Sequence, residues 1–446
     1  MKIAIIGTGI SGLTCAYHLH QNHDITLYEA NDYVGGHTAT VDVEVNSGKY
    51  AIDTGFIVFN DRTYPHFEKL MADIGIYGQP TEMSFSVHND ENGLEYNGNT
   101  LSSMFSQVRN LLNPRFYRFI MDIFRFNRLA TDVDLNTEQS RTLGEFLEAN
   151  AFNRYFSENY ILPMGAAIWS STLSDMRGFP LAFFIRFFRH HGLLDVFNRP
   201  KWYVIPGGSR EYVTRLIEPF KDSIRLSTPV KSIRRSHGKV IVTAQGVSEI
   251  YDHAILACHS DQALALLADP TLDEAAVLGA MTYQNNEVVL HTDEAMLPRE
   301  KKAWAAWNYH LGKEIDGQRD HKLASLTYNM NILQGISSPE TFCVTLNQTD
   351  QINSQKILRR FNYDHPVFTT SSLLAQQQRH RINGKPNTWF CGAYWYNGFH
   401  EDGVRSGLDI VEAIEGMDVS DDCHDRQEHP LAEAVVQAKN DQQQLL

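Results

Sequence analysis

At 446 residues, 43% hydrophobic and 21% charged, the chain exceeds one compact core and predicts a globular protein of two domains. A formal net charge of −14 argues against general nucleic-acid binding. No uninterrupted apolar stretch reaches the roughly 18 residues of a membrane span, and five cysteines without a C-x-x-C spacing predict a reducing, cytoplasmic setting with no disulfide framework or zinc site.

The first element is legible in MKIAIIGTGISGL. Ile3, Ala4, Ile5 and Ile6 form an apolar run ended by Gly7, which predicts a strand buried on both faces of a parallel sheet. From Ser11 to Leu19 the residues favour helix. Gly7, Gly9 and Gly12 thus lie in a strand–turn–helix context, where G-x-G-x-x-G marks a dinucleotide site. Gly7 permits the tight turn, Gly9 lets a pyrophosphate approach the backbone, and Gly12 lets the helix pack on the strand. The amides of Ile10 and Ser11, at the positive end of the helix, favour phosphate charge. A second run, Asp24–Tyr28, ends at Glu29 and Ala30. A carboxylate at this spacing accepts hydrogen bonds from a ribose. Lys2 before the apolar run mimics a signal peptide, but glycine interrupts that run after four residues, which argues against one. His18, His20 and His23 predict solvated histidines rather than a metal site.

Further along, Tyr33–Thr38 places Gly35, Gly36 and His37 behind the ribose carboxylate. Tyr50–Val58 returns as an apolar segment with Asp53, Gly55 and Phe56 at its centre. Residues 105–128 hold five arginines and five phenylalanines against one acid, Asp122, and residues 179–202 hold six phenylalanines. Two readings stand for these stretches: amphipathic helices lining a substrate domain with arginines in water, or a surface for anionic lipid headgroups with phenylalanines at the apolar boundary. His190–His191 predict surface or packing positions. Tyr203–Val213 carries a Gly-Gly pair before a helix; its Ser209 lacks G-x-S-x-G, which argues against a hydrolase nucleophile. Strands are predicted over 224–233, with Val230 in the second, over 251–258, over 283–291, and over 388–393, the last ending near Gly392. Glu401–Gly407, with Asp402, Gly403 and Val404, opens a helix. The polar tail 417–446 is predicted to be peripheral.

In this order the motifs resemble the flavin-dependent amine oxidase superfamily, which includes monoamine and polyamine oxidases, protoporphyrinogen oxidase and phytoene-type desaturases. The resemblance implies an α/β fold: a Rossmann-like FAD domain of glutathione-reductase type, with an α+β substrate domain of mixed sheet and helices. It divides the chain into 1–78, 200–262 and 386–416 for FAD, and 79–199 and 263–385 for substrate. It implies FAD contacts from Gly7, Gly9, Ile10, Ser11, Gly12, Glu29, Ala30, Gly35, Gly36, His37, Gly55, Phe56, Val230, Gly392, Asp402, Gly403 and Val404. In the family the early Gly-Gly is usually followed by Arg, where His37 stands here. No cysteine falls where covalently flavinylated relatives have theirs, so the FAD is expected to be non-covalent, with Cys391 a packing residue.

Gly93–Tyr96, Arg109–Leu111, Phe124–Asn127, Cys258–Gln262 and Asn308 resemble a bacterial branch of predicted NAD/FAD-binding oxidoreductases, whose genes commonly lie near cyclopropane-fatty-acid-synthase-like methyltransferases. This implies an acyl-chain or lipid substrate. Many amine oxidases carry a lysine near the flavin; none lies between Met281 and Arg299. Asn285, Asn286, Glu287 and His291 are the polar residues of that strand. Tyr394, Trp395 and Phe399 are expected to wall an apolar substrate pocket, and His291, Phe399, His400 and Glu401 are the catalytic nominees. One dinucleotide fingerprint without a second suggests electrons leaving to oxygen, a quinone or a carrier. The leading expectation is a lipid or acyl-chain oxidoreductase, cytoplasmic and peripheral at the inner membrane surface. The alternatives are an amine or other small-molecule oxidase, and a flavin-binding scaffold for a lipid-modifying methyltransferase.

Overall fold

The computed structural model describes residues 1–422 except 136, 139, 196 and 197, and the side chains only as far as 417. Most of the tail 417–446 therefore lies outside the described residues. A five-stranded parallel sheet runs in the order Ile224–Arg225, Asp24–Tyr28, Lys2–Ile6, His253–Leu256 and Thr388–Phe390. Its central strand, Lys2–Ile6, is the apolar run; Ile3, Ala4 and Ile5 are fully buried because both faces are covered. The helices Ile10–Leu19 and His400–Asp422 cover one face. A three-stranded antiparallel sheet, Val230–Ser236, Lys239–Ala244 and Val247–Tyr251, covers the other. The two helices pack closely because glycine lines the seam: a Cβ on Gly403 would sit 2.6 Å from Ile10 Cγ2, and one on Gly407 2.8 Å from the Ser11 carbonyl oxygen.

A second, seven-stranded sheet takes its strands from 85–97 and 282–367, in the order Ile357–Val367, Thr282–His291, Cys343–Leu346, Ser325–Asn329, Trp307–Leu311, Phe85–Asn89 and Leu94–Asn97. A helical layer packs on one face of this sheet. Within it, Asn113 caps the helix Pro114–Thr131, accepting from the Arg115 amide at 3.1 Å, and Pro114 fixes its first turn. Phe116, Phe119, Ile123 and Phe126 form its buried stripe at helical spacing; each such burial stabilises by about 1.5–3 kcal/mol. The helix Leu181–His190 corrects one expectation. Phe179, Phe183, Phe184, Phe187 and Phe188 are all buried, so this stretch is core, because aromatic neighbours above and below leave it no free apolar face. The sixth phenylalanine, Phe197, lies outside the described residues.

Candidate active site

The strand Lys2–Ile6 delivers Gly7 into a turn with φ +104°, a conformation only glycine adopts freely. Gly12 has no room for a side chain, since its Cβ would lie 2.1 Å from the Gly7 carbonyl oxygen. Gly9 differs: its backbone is extended at φ −65°, ψ 171°, and a Cβ there would meet nothing within 4 Å. It caps the helix without a side chain, so the amides of Ile10, Ser11 and Gly12 have no acceptor within the helix. Gly35 bridges to Gly9, and a Cβ on Gly36 would come 3.1 Å from the Gly9 Cα. The second helix, His400–Asp422, starts against Ile10, so two positive helix ends flank one cleft.

Glu29 ends the neighbouring strand, buried, accepting from the Thr8 amide at 3.1 Å, the Thr8 hydroxyl at 2.5 Å and the Asn31 amide at 2.9 Å. A carboxylate has about four lone-pair sites, which leaves capacity for a ribose hydroxyl. The Thr228 amide bonds the Glu29 carbonyl at 2.7 Å, which brings Val230 to the same end; Ala30 is exposed there. At the other end His37 is half-buried, with its Nε2 atom buried and unpartnered among the described residues. Burial, together with His365 and His259, pushes its pKa down to about 3, so it stays neutral. The Phe56 amide bonds the His37 carbonyl at 2.8 Å, joining Gly55 and Phe56 to this wall. An open glycine cradle, a carboxylate with spare acceptor capacity and an orphaned buried nitrogen all fit a bound dinucleotide.

Beyond His37 and Phe56 opens a cavity of about 770 Å³. Its lining includes Ile57, Met83, Ile120, Ile123, Phe124, Met164, Ile168, Trp169, Leu193 and Phe399, and among the described residues Arg199 is the one Arg, Lys, Asp or Glu side chain that lines it. Phe399 stacks on Phe187 at 5.0 Å, and His400 stacks on Phe56 at 3.7 Å. His400 Nε2 is 2.8 Å from the Tyr212 hydroxyl, which also bonds Thr38. Burial pushes its pKa to about 3. His365 lines the cavity too, with Nδ1 2.9 Å from the Ser170 hydroxyl and 3.3 Å from Asn286 Nδ2. Burial lowers its pKa to about 4.

Several expected site residues lie elsewhere. His291 is buried in a polar layer away from the cavity, bonded to the Thr345 hydroxyl at 2.7 Å and the Asp293 amide at 3.0 Å. Strand alternation carries it to that face. Tyr394 and Trp395 do not line the cavity; a short helical turn buries them with Phe390 and Ile382, and the Trp395 indole donates to the Phe390 carbonyl at 2.8 Å. Glu401 caps the helix Pro65–Asp73, accepting from the amides of His66 at 3.0 Å and Phe67 at 2.9 Å. Burial raises its pKa to about 7. Asp402 accepts from the Phe399 amide at 2.9 Å and holds the turn that presents Phe399 and His400; burial raises its pKa to about 6. Gly392 donates to the Ser406 hydroxyl at 2.6 Å, and Val404 is buried in the helix seam. Cys391 packs 4.0 Å from Cys15, both buried. Sequence reasoning missed His365, His191, Tyr363 and Arg199. Only Phe361, Tyr363 and His365, alternating along one strand, carried a signal.

The family model described as flavin containing amine oxidoreductase matches residues 10–342. No curated protein sequence matches the chain. Among solved structures, cyclohexylamine oxidase from Brevibacterium oxydans IH-35A shares the fold at a TM-score of 0.66 and 14% identity, covering 94% of this chain and 99% of its own. A fatty acid isomerase from P. acnes that produces CLA aligns at 0.65 and 15% identity, over 92% of this chain and 98% of its own. Putrescine oxidase bound to putrescine aligns at 0.64 and 14% identity, over 93% and 99%.

Proposed function

Because the chain belongs to the flavin-containing amine oxidoreductase family, we propose that this FAD-dependent oxidoreductase takes its hydride from a C–H bond of a long apolar substrate, an acyl chain or lipid. The observation that carries this is the cavity: about 770 Å³, walled by aliphatic and aromatic side chains, with no acid among its described lining residues to pair an ammonium. An ammonium buried there without a counter-charge would be strongly disfavoured, which weighs against the amine reading; so does the absence of lysine between Met281 and Arg299. The fatty acid isomerase shows that this fold accommodates a fatty acid in another protein.

FAD, when bound, would supply the two-electron acceptor for the hydride, with oxygen, a quinone or a carrier as the onward acceptor; the neighbouring carbon would lose a proton to solvent, leaving a C=C bond. This chain's residues do the rest. Gly7, Gly9, Gly12, Gly35 and Gly36, with the amides of Ile10 and Ser11, grip the diphosphate; Glu29 takes the ribose. Gly55, Phe56 and the turn 397–400, clamped by Asp402, form the wall between cofactor and substrate. Phe399, Phe187, Ile168 and Met164 exclude water and align a chain. His37, His365 and His400 stay neutral at pH 7, so they add polarity without charge. In this reading the parallel-sheet blocks 1–78, 200–262 and 386–416 hold cofactor, while 79–199 and 263–385 hold substrate, and the protein meets its lipid at a membrane surface. Anaerobic mixing tests it: an unsaturated acyl phospholipid bleaches the flavin and a panel of primary amines does not. Bleaching by amines alone overturns it, and bleaching by neither favours the scaffold reading.

A further inference from the structure

Of the two basic-aromatic stretches, only 105–128 leaves large apolar side chains exposed among the described residues. Between residues 101 and 124 large apolar side chains point into water. Leu101 is 81% exposed, Val108 76% and Leu112 91%, with Leu111 beside them. On the adjoining helix Pro114–Thr131, Tyr117, Met121 and Phe124 form an outward stripe at i, i+4 and i+7, opposite the buried phenylalanines, with Met121 69% exposed. A helix apolar on both faces is unusual for a protein surface in water and marks an interaction site. Arginines frame the stripe. Arg118 and Arg128 are exposed and make no ion pair among the described residues. Arg109, Arg115 and Arg125 flank them, and the one acid in this segment, Asp122, is buried and paired with Arg125 at 3.3 Å.

The patch is continuous with the cavity. Leu101 and Phe124 are exposed and also line it, as does Arg199, so these three frame its mouth. Among the described residues no helix is long and apolar enough to cross a membrane. We infer that the face formed by 101–112 and the outer side of 114–131 docks on an anionic lipid bilayer, seating the cavity mouth at the headgroup level so that an acyl chain enters without crossing water. Apolar side chains reach the acyl boundary while the arginines meet phosphates. Charge complementarity selects this occupant: the molecule carries a net −14, yet this face is cationic. A second copy of the chain would set the same arginines against themselves across a two-fold axis, at a repulsive cost. This inference rests on the acyl-chain reading for its purpose, but its test reads binding without turnover.

The test uses the FAD-loaded full chain and vesicles of phosphatidylcholine alone or with phosphatidylglycerol, read by co-sedimentation. Binding is expected to be about tenfold or more tighter to the anionic vesicles. Leu112→Asp with Met121→Asp, neither of which lines the cavity, is expected to abolish it; Arg118→Glu with Arg128→Glu is expected to erase the anionic preference. An unchanged flavin spectrum and melting temperature show that the variants are folded, and the single Leu112→Asp, at the most exposed position, serves if a double variant is not. Equal negligible binding to both vesicles, full binding by the folded Leu112→Asp and Met121→Asp variant, or a dimer closed by this face with no vesicle binding would each overturn the inference. A failed flavin-bleaching test with wild-type vesicle binding would sink the functional reading and leave the docking face standing.

Discussion

Gly9→Ala separates cofactor binding from folding. Gly9 has an extended backbone that alanine adopts without strain, and its Cβ would meet no atom within 4 Å. The protein without FAD should therefore lose less than about 0.5 kcal/mol, as at a neutral surface position. The new methyl projects into the opening between Gly9 and the first-turn amides, where the diphosphate is proposed to lie. One methyl forced into a filled site costs about 1–3 kcal/mol, a loss of roughly 5- to 150-fold in FAD affinity. Gly12→Ala is the contrasting control: its Cβ would lie 2.1 Å from the Gly7 carbonyl oxygen, so strand and helix must part and the protein should not fold. Fluorescence titration of the apo-protein with FAD reads the affinity, and thermal unfolding without FAD reads the stability. Wild-type FAD affinity in Gly9→Ala would refute the placement of the diphosphate.

Further outcomes follow from the same geometry. Glu401→Ala removes the cap on helix Pro65–Asp73 and should cost about 1–2 kcal/mol by denaturant unfolding. Because burial raises the Glu401 pKa to about 7, its stabilising share is fullest below its unfolded value near 4.5 and is lost as pH rises through 7; Glu401→Gln should gain on wild type between pH 5 and 8, and a constant difference would contradict this. The histidines that line the cavity act in the opposite sense. His37, His191, His365 and His400 have pKa values lowered to about 3–4 by burial, so each withdraws about 1.4 kcal/mol per pH unit as pH falls below the unfolded value near 6.5. They outnumber Asp53, Glu401 and Asp402, which gain there, so melting temperature should drop from pH 7.5 to 5.5. Arg199→Ala should raise KM for a free fatty acid roughly two- to fivefold, the worth of an exposed ion pair, and leave KM for its methyl ester unchanged. Equal effects on both would remove Arg199 from substrate binding.

What the sequence made legible was local. The apolar run, three glycines and Glu29 needed only chain-neighbour geometry, and the structure brings the glycines and Glu29 together at the end of that strand. The stripe Phe116, Phe119, Ile123 and Phe126 followed from helical period. What escaped depended on direction rather than type. Tyr394 and Trp395 are aromatic and adjacent to Phe399, but a turn between Gly392 and Gly398 sends them into the core and Phe399 into the cavity. His291 lies on the right strand and the wrong face, since period-two alternation from Asn286 puts odd and even residues on opposite sides. Glu401 carries a shifted pKa of the kind a general base has, yet two backbone amides 334 and 335 residues away in sequence occupy its carboxylate. The same blindness hid the difference between the two phenylalanine-rich stretches: composition is alike, but among the described residues only 105–128 exposes large apolar side chains.

A crystal structure of the FAD-loaded protein with a non-reactive acyl analogue tests most directly whether the apolar cavity takes an acyl chain beside the flavin. Density for the diphosphate across Gly9 and for an alkyl chain running from Phe399 out past Leu101 and Phe124 is the predicted result. An acyl chain absent from the cavity while a small amine is held against Phe399 would contradict it.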